Sequence, residues 1–249
     1  MSDLKPALKP ALKPETLEHL RHVSTATLCT QLFKRGLRNV FIQGIARLSG
    51  YAEENMVGPA LTLRNIPSRE DLDVINVFEN PEHPQRKAVE TAPAGHVLVI
   101  DTRGETRAAC AGEILMTRLK IRGAAGFVAD GPVRDSDAIS DMDFHVYSAG
   151  GSAPLNLIHH HAVDIDVPIG CGGVPVYPGD IIVGDAEGVV VIPQHLADEV
   201  AADAAEQELM EVFVLERVEA GAGLPGTYPP NAATKAAFEV WRRKRDTLK

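Results

Sequence analysis

Residues 96–130 constrain the fold of this chain more than any other stretch. His96-Val97-Leu98-Val99-Ile100-Asp101 is apolar at every position between its ends, as expected of a strand covered on both faces. A helix is expected over roughly 110–122, closed by Gly123, and a second apolar strand at Gly126-Phe127-Val128-Ala129-Asp130. Parallel strands joined by a helix cross over in the right-handed sense. The helix start and the strand ends therefore meet at one sheet edge, where open α/β sheets bind ligands. That edge would collect Asp101, Gly112-Glu113 and the run Asp130-Gly131-Pro132-Val133-Arg134-Asp135.

These residue types point to metal-assisted chemistry on a small anion. The first-turn amides near Glu113, Ile114 and Leu115 lack intrahelical partners and can hold a carboxylate, and Gly112 lets a ligand approach that backbone. Arg134 can grip a carboxylate or enolate through two parallel hydrogen bonds. Asp135 can ligate a hard divalent cation, and Glu113 can hold a water of that cation. An adjacent Arg-Asp pair is also common in solvated turns, so spacing alone does not establish a site.

The rest of the chain supplies flanks and further strands. Residues 4–14 read LKPALKPALKP, in which proline at every fourth position opposes a helix and favours a flexible basic tail. Helices are expected over 15–37, with Ser24 or Thr25 capping a second one, and from about His195 to Ala220. Gly58–Leu63 reads as a short strand, Asp71–Val77 as a short helix or loop, and Pro81–Pro93 as an irregular excursion. Strands are also expected at 144–147 and 163–167, and a hairpin at 180–192. After a turn-rich break at 221–230, a short amphipathic tail carries Trp241. The resulting division is a tail over 1–14, one α/β domain over 15–205 and a helical extension over 206–249.

Bulk properties remove several function classes. With 25 basic and 34 acidic side chains the net charge is −9, which argues against a nucleic-acid-binding surface. Three scattered cysteines, Cys29, Cys110 and Cys171, without a CxxC motif, speak for a reducing compartment and against disulfides or structural zinc. No run approaches a membrane span and no signal-peptide core is evident, so a cytoplasmic location is expected. His159-His160-His161 alternate in direction on a strand and do not have the spacing of shared metal ligands; one is expected to line the site or a subunit contact, the others to be solvated. Lys87 and Lys120 read as surface residues, Asp180 and Asp185 as turn residues, and Gly170–Gly173 lacks a P-loop lysine.

The ordered motifs resemble the class II pyruvate aldolases of the 4-hydroxy-4-methyl-2-oxoglutarate aldolase family, which shares its fold with the regulator of ribonuclease activity A. Glu113, twenty intervening residues and Arg134-Asp135 match the family pattern. So do Ser24–Thr27, Gly58–Thr62, Gly123–Gly126, Val167–Val174 and Pro178–Asp185, over roughly residues 20–205. The resemblance implies an αββα sandwich of the swivelling β/β/α kind with helical flanks, assembled as a trimer or dimer of trimers with intersubunit sites. It implies Asp135 as direct ligand of Mg2+, Mn2+ or another divalent cation and Arg134 on the keto-acid oxygens. Backbone amides of Ile114 and Leu115 would hold the pyruvyl carboxylate.

Departures bear on substrate choice. Glu113 stands where the aldolases generally have aspartate, Thr30 replaces an aspartate of the first helix, and Asn156–His161 replaces a basic stretch. The reaction implied is cleavage of a 4-hydroxy-2-oxo acid to pyruvate and a carbonyl compound, with oxaloacetate decarboxylation through the same enolate. The alternatives are a dehydratase of 2-oxo-3-deoxy sugar acids and a non-catalytic regulator of a ribonuclease or helicase. The intact acid–Arg-Asp set favours catalysis.

Overall fold

The computed structural model describes residues 12–50 and 53–247. The repeats of the Lys-Pro tail lie almost wholly outside the described residues; Pro14 opens the first helix instead of ending the tail. In chain order the elements begin with α1 (Pro14–His22), α2 (Thr25–Lys34), β1 (Ala46–Ser49), β2 (Met56–Ile66) and α3 (Pro84–Thr91). The crossover unit follows as β3 (Val97–Asp101), α4 (Glu113–Ile121), β4 (Gly126–Ala129), α5 (Ser136–Ser140) and β5 (Val146–Ser148). Then come β6 (His161–Ile165), β7 (Ile169–Cys171), β8 (Val174–Val176), β9 (Ile181–Gly184), β10 (Val189–Ile192), α6 (Ala197–Glu219) and α7 (Ala232–Thr247).

Eight strands form one mixed sheet in the order β1-β5-β4-β3-β2-β9-β10, with β6 also on β2. β2, β3, β4 and β5 run parallel, joined by α3, α4 and α5. The long β2 lets the sheet turn a corner. Its first half pairs antiparallel with β9, from Met56 to Pro59, and its second half pairs with β3 and β6. Side chains alternate across the sheet accordingly. Leu98, Ile100, Phe127 and Ala129 pack under α3 and α4, whereas Val97, Val99 and Val128 face an inner core with Ile182, Val189 and Val191. Ile181, Val183, Val190 and Ile192 in turn meet α1, α2 and α6. Helix, sheet, folded-over sheet and helix are thus the layers, the expected α/β sandwich with helical flanks.

Two expectations need correction. Residues 81–93 are not an irregular excursion. Pro84 sits at the start of α3, where its missing N–H costs nothing, and Ala88 and Val89 bury an apolar face. β2 is eleven residues long rather than six. Its extension past Leu63 carries the polar Arg64 and Asn65, which are held in place by Asp164 and by the Asp101 carbonyl.

Ser24 caps α2, its Oγ accepting the Thr27 N–H at 3.1 Å. Asp185 serves more than its turn, since it also accepts the Thr25 N–H at 2.8 Å and Thr25 Oγ1 at 2.9 Å. Position 206 falls inside α6, and the second half of that helix forms a small separate core with α7 from Phe213, Val214 and Phe238. No helix among the described residues is long and apolar enough to cross a membrane.

Candidate functional site

The loop after β3 and the loop after β4 are tied together by backbone. Cys110 N–H donates to the Pro132 carbonyl and Arg134 N–H to the Ala111 carbonyl, both at 2.9 Å. Val133 is held from the other side by the Gly150 carbonyl, also at 2.9 Å. This ladder sets Arg134-Asp135 against the start of α4 despite the twenty residues between them. The contact is close: a Cβ on Gly112 would lie 2.7 Å from Arg134 Cγ and 2.7 Å from Asp135 Oδ2. Gly112 has an extended backbone that any residue adopts, so it is the space, and not the conformation, that requires glycine.

Asp135 has φ +58°, a left-handed conformation uncommon outside glycine but tolerated by aspartate. This turns its carboxylate back toward α4. Among the described residues the carboxylate has only long contacts, 3.4 Å from Glu113 N–H and 3.5 Å from Arg134 Nε, and it is 40% exposed. Both oxygens keep lone pairs for another partner. At the helix start Leu115 N–H donates to the Gly112 carbonyl at 3.0 Å, whereas the Ile114 N–H has no protein partner among the described residues. The expected pair of open amides is therefore reduced to Ile114, with Glu113 N–H facing Asp135.

A cavity of about 430 Å³ opens on these groups. It is lined by Gly112, Ile114, Leu115, Arg134 and Asp135, together with Gln85, Arg86, Asn156, Ala109, Ala111 and Leu155. A larger cleft of about 890 Å³ lies beside Leu37, Val174 and Pro193, distant in the fold from this cluster, and gathers none of it. Glu113 is exposed and its side chain is not part of the cavity wall.

Gln85 and Arg86 were not singled out in the sequence, and Asn156 was named only as the first residue of the divergent 156–161 stretch. Gln85 is buried and donates to the Cys110 carbonyl at 2.6 Å, tying α3 to the loop that leads into α4. The Arg86 guanidinium sits 4.2 Å from the Phe78 ring centroid, and burial lowers its pKa. The adjacent Pro84, read as a break, concealed the helix that presents Gln85 and Arg86.

Other sequence candidates have structural duties. Asp130 is buried and accepts from Thr102 N–H and Oγ1 at 2.7 and 2.6 Å and from the Gly104 and Gly172 amides. Asp101 accepts the Arg103 N–H at 2.8 Å; burial, with the charge of Asp130, raises its pKa against that bond. None of the three histidines lines the cavity. His160 is buried against the Ala108 carbonyl at 3.1 Å, and His161 pairs with the buried carboxylate of Asp73 at 2.7 Å. The expectation that two of them are simply solvated is corrected: closing the loop before Cys110 and satisfying a buried carboxylate both draw imidazoles inward. Burial pushes the thiols of Cys110 and Cys171 up, which keeps them from acting as nucleophiles.

Residues 25–191 match the sequence profile of the RraA-like family, described as Aldolase/RraA. The chain belongs to the RraA-like family. A relative in Halalkalibacterium halodurans, named "Putative 4-hydroxy-4-methyl-2-oxoglutarate aldolase", is 37% identical over 155 residues, which cover 62% of this chain and 68% of that one. Among solved structures, Streptomyces coelicolor RraAS2, described as an unusual member of the RNase ES inhibitor RraA protein family, superposes with a TM-score of 0.71 at 30% identity. That match covers 82% of this chain and 98% of the other. An uncharacterized protein from Pseudomonas syringae pv. tomato superposes with a TM-score of 0.74 at 25% identity, covering 88% of this chain and all of that one. The RraA-like match spans the whole Gly112–Asp135 cluster and ends within β10, so α6 and α7 lie beyond it.

Proposed function

We propose that this RraA-like protein is a divalent-metal-dependent lyase that cleaves a 4-hydroxy-2-oxo acid into pyruvate and a second carbonyl compound, and that it decarboxylates oxaloacetate as a side reaction. The observation that carries the reading is the packing of Arg134 and Asp135 onto Gly112 at the start of α4, beside a cavity of about 430 Å³.

Asp135 is assigned the metal. Its carboxylate has spare lone pairs, and magnesium and manganese suit one or two carboxylate ligands with water completing the shell. When bound, the ion supplies Lewis-acid stabilisation of negative charge on the 2-oxo acid. Arg134 binds the oxygens on which the enolate charge grows as the C3–C4 bond breaks. The Ile114 N–H, at a positively polarised helix start, holds the substrate carboxylate. Ala109, Ala111 and Leu155 add apolar surface to the lining of the cavity. Glu113, exposed beside them, orients a water that accepts the C4 hydroxyl proton.

The test is release of pyruvate from 4-hydroxy-4-methyl-2-oxoglutarate, followed by coupling to lactate dehydrogenase with Mg2+ or Mn2+ present. Turnover is expected in the native protein, and its loss in Asp135→Ala, in Arg134→Ala and in EDTA, with circular dichroism unchanged. Full turnover in either variant or in chelator discards the mechanism. Loss of water from the substrate without pyruvate assigns the site to a dehydratase, and inhibition of a ribonuclease with no turnover of any 2-oxo acid assigns the chain to regulation.

A further inference from the structure

Leu12-Lys13-Pro14 is the last of three Leu-Lys-Pro units, after Leu4-Lys5-Pro6 and Leu8-Lys9-Pro10. This last unit is seated on the protein. Leu12 packs against the core shared by α1, α2, β9, β10 and α6. The Lys13 ammonium pairs with one Asp198 oxygen at 2.6 Å, and the other oxygen accepts Thr16 Oγ1 at 2.6 Å. Lys13 has φ −62° and ψ 145°, the polyproline II geometry that a residue before proline favours.

Leu12 and Lys13 also line the cleft of about 890 Å³ that lies apart from the Gly112 cluster. Leu37, Pro175 and Pro193 give that cleft apolar surface, and Tyr177, 55% exposed, adds an aromatic ring. Asp180 and Asp198 bring two carboxylates to it. Apolar grooves bearing exposed aromatic rings suit proline-rich segments, whose restricted backbone loses little entropy on docking. A Leu-Lys-Pro unit complements this lining in particular: leucine and proline cover apolar surface, and lysine meets the acids. The four residues directly before Leu12 are Leu8-Lys9-Pro10-Ala11, which would span about 12 Å as polyproline II. A segment tethered this closely acts at an effective concentration on the order of millimolar, so even a weak site fills.

We propose that this cleft is a docking groove for a Leu-Lys-Pro segment, and that its occupant is Leu8-Lys9-Pro10-Ala11 of the same chain. Leu8 covers apolar surface and Lys9 lies in the field of Asp180 and Asp198, repeating what Leu12 and Lys13 do one unit later. The groove shares no residue with the cavity at Gly112, so the proposal is independent of the reaction assigned there.

The test uses the full chain and a fluorescein-labelled peptide of residues 4–11, followed by fluorescence anisotropy. A full-length variant carrying Leu4→Ser and Leu8→Ser, whose own tail no longer competes, is expected to bind the peptide. The native chain is expected to bind it about tenfold more weakly or worse, because the tethered copy occupies the groove. Adding Tyr177→Ala to the double variant should weaken binding about fivefold or more, the scale of an aromatic anchor. No binding to the double variant, equal binding to the native chain, or no effect of Tyr177→Ala each overturns the proposal. A photo-crosslinking p-benzoylphenylalanine in place of Ala7 then locates the tail. A product of single-chain mass joined to residues 174–177 or 193–195 is expected. A product of double mass means that the groove holds the tail of a second copy, and joins to other segments mean that the tail docks elsewhere; either overturns the assignment.

Discussion

Gly112 owes its identity to its neighbours: the volume a methyl group would occupy is already taken by the Arg134 side chain and an Asp135 oxygen. Gly112→Ala would therefore push both functional groups outward, by an amount comparable to the missing few tenths of an ångström at each contact. Catalysis is sensitive to displacements of that order. Because the backbone at 112 is in an ordinary extended conformation, the fold should tolerate the change. We expect turnover to fall at least about tenfold on that positional argument, with thermal unfolding little moved. Native turnover in Gly112→Ala would show that the close packing has no part in the reaction. The spacing of Glu113, Arg134 and Asp135 was legible because all three lie on one strand–helix–strand unit. Arg86 and Gln85 were not, and Asn156 stood out only as part of the divergent 156–161 stretch. They come from α3 and from a single 3-10 turn at Asn156–Ile158, and no local pattern links these to the central unit.

At the scale of elements, legibility followed burial. β3 and β4 are covered on both faces and read as continuous apolar runs. The β9–β10 hairpin was equally plain, with Ile181 paired to Ile192 and the turn held by Asp185. α3 was obscured by prolines that mark its boundaries, and β2 by polar residues whose partners lie on other elements. α7 was underread for a related reason: its apolar face meets the second half of α6, far along the chain from any sheet strand. Phe238 is 1% exposed there, with ring centroids 5.7 Å from Phe213 and 5.9 Å from Trp241. Phe→Ala in a closed core costs about 3–5 kcal/mol. Here that loss falls on a satellite core remote from the sheet, so it should appear as local opening. Hydrogen exchange on Phe238→Ala is expected to accelerate across α7 and the end of α6 and to leave β3 and β4 protected. Uniform acceleration would mean that this core is integral to global folding.

For the whole molecule, three histidines set the response to acid. His83, His145 and His160 each have a pKa below the ordinary histidine value of 6.5, in every case chiefly through burial. Neighbouring cations add to the effect: Arg86 for His83, Arg47 for His145 and Arg103 for His160, the last opposed by the Ala108 carbonyl. Asp73 and Asp143 act against the shifts at His83 and His145 without reversing them. A depressed folded-state pKa means that below 6.5 the unfolded chain binds protons that the folded chain refuses. Stability is then constant above that value, declines as pH falls below it, and levels off only once the folded imidazoles are themselves protonated. The His83 Nδ1 has no hydrogen-bond partner, so protonation brings no compensating bond there, whereas the Gly50 backbone favours the charged ring of His145 without reversing its shift. Urea midpoints measured from pH 8 to 5 should stay level and then fall below about 6.5, the reference histidine pKa. Replacing His145 by Gln should shrink that fall, since glutamine carries no proton to refuse. A midpoint that rises on acidification through this range would mean that these imidazoles gain, rather than lose, protons on folding.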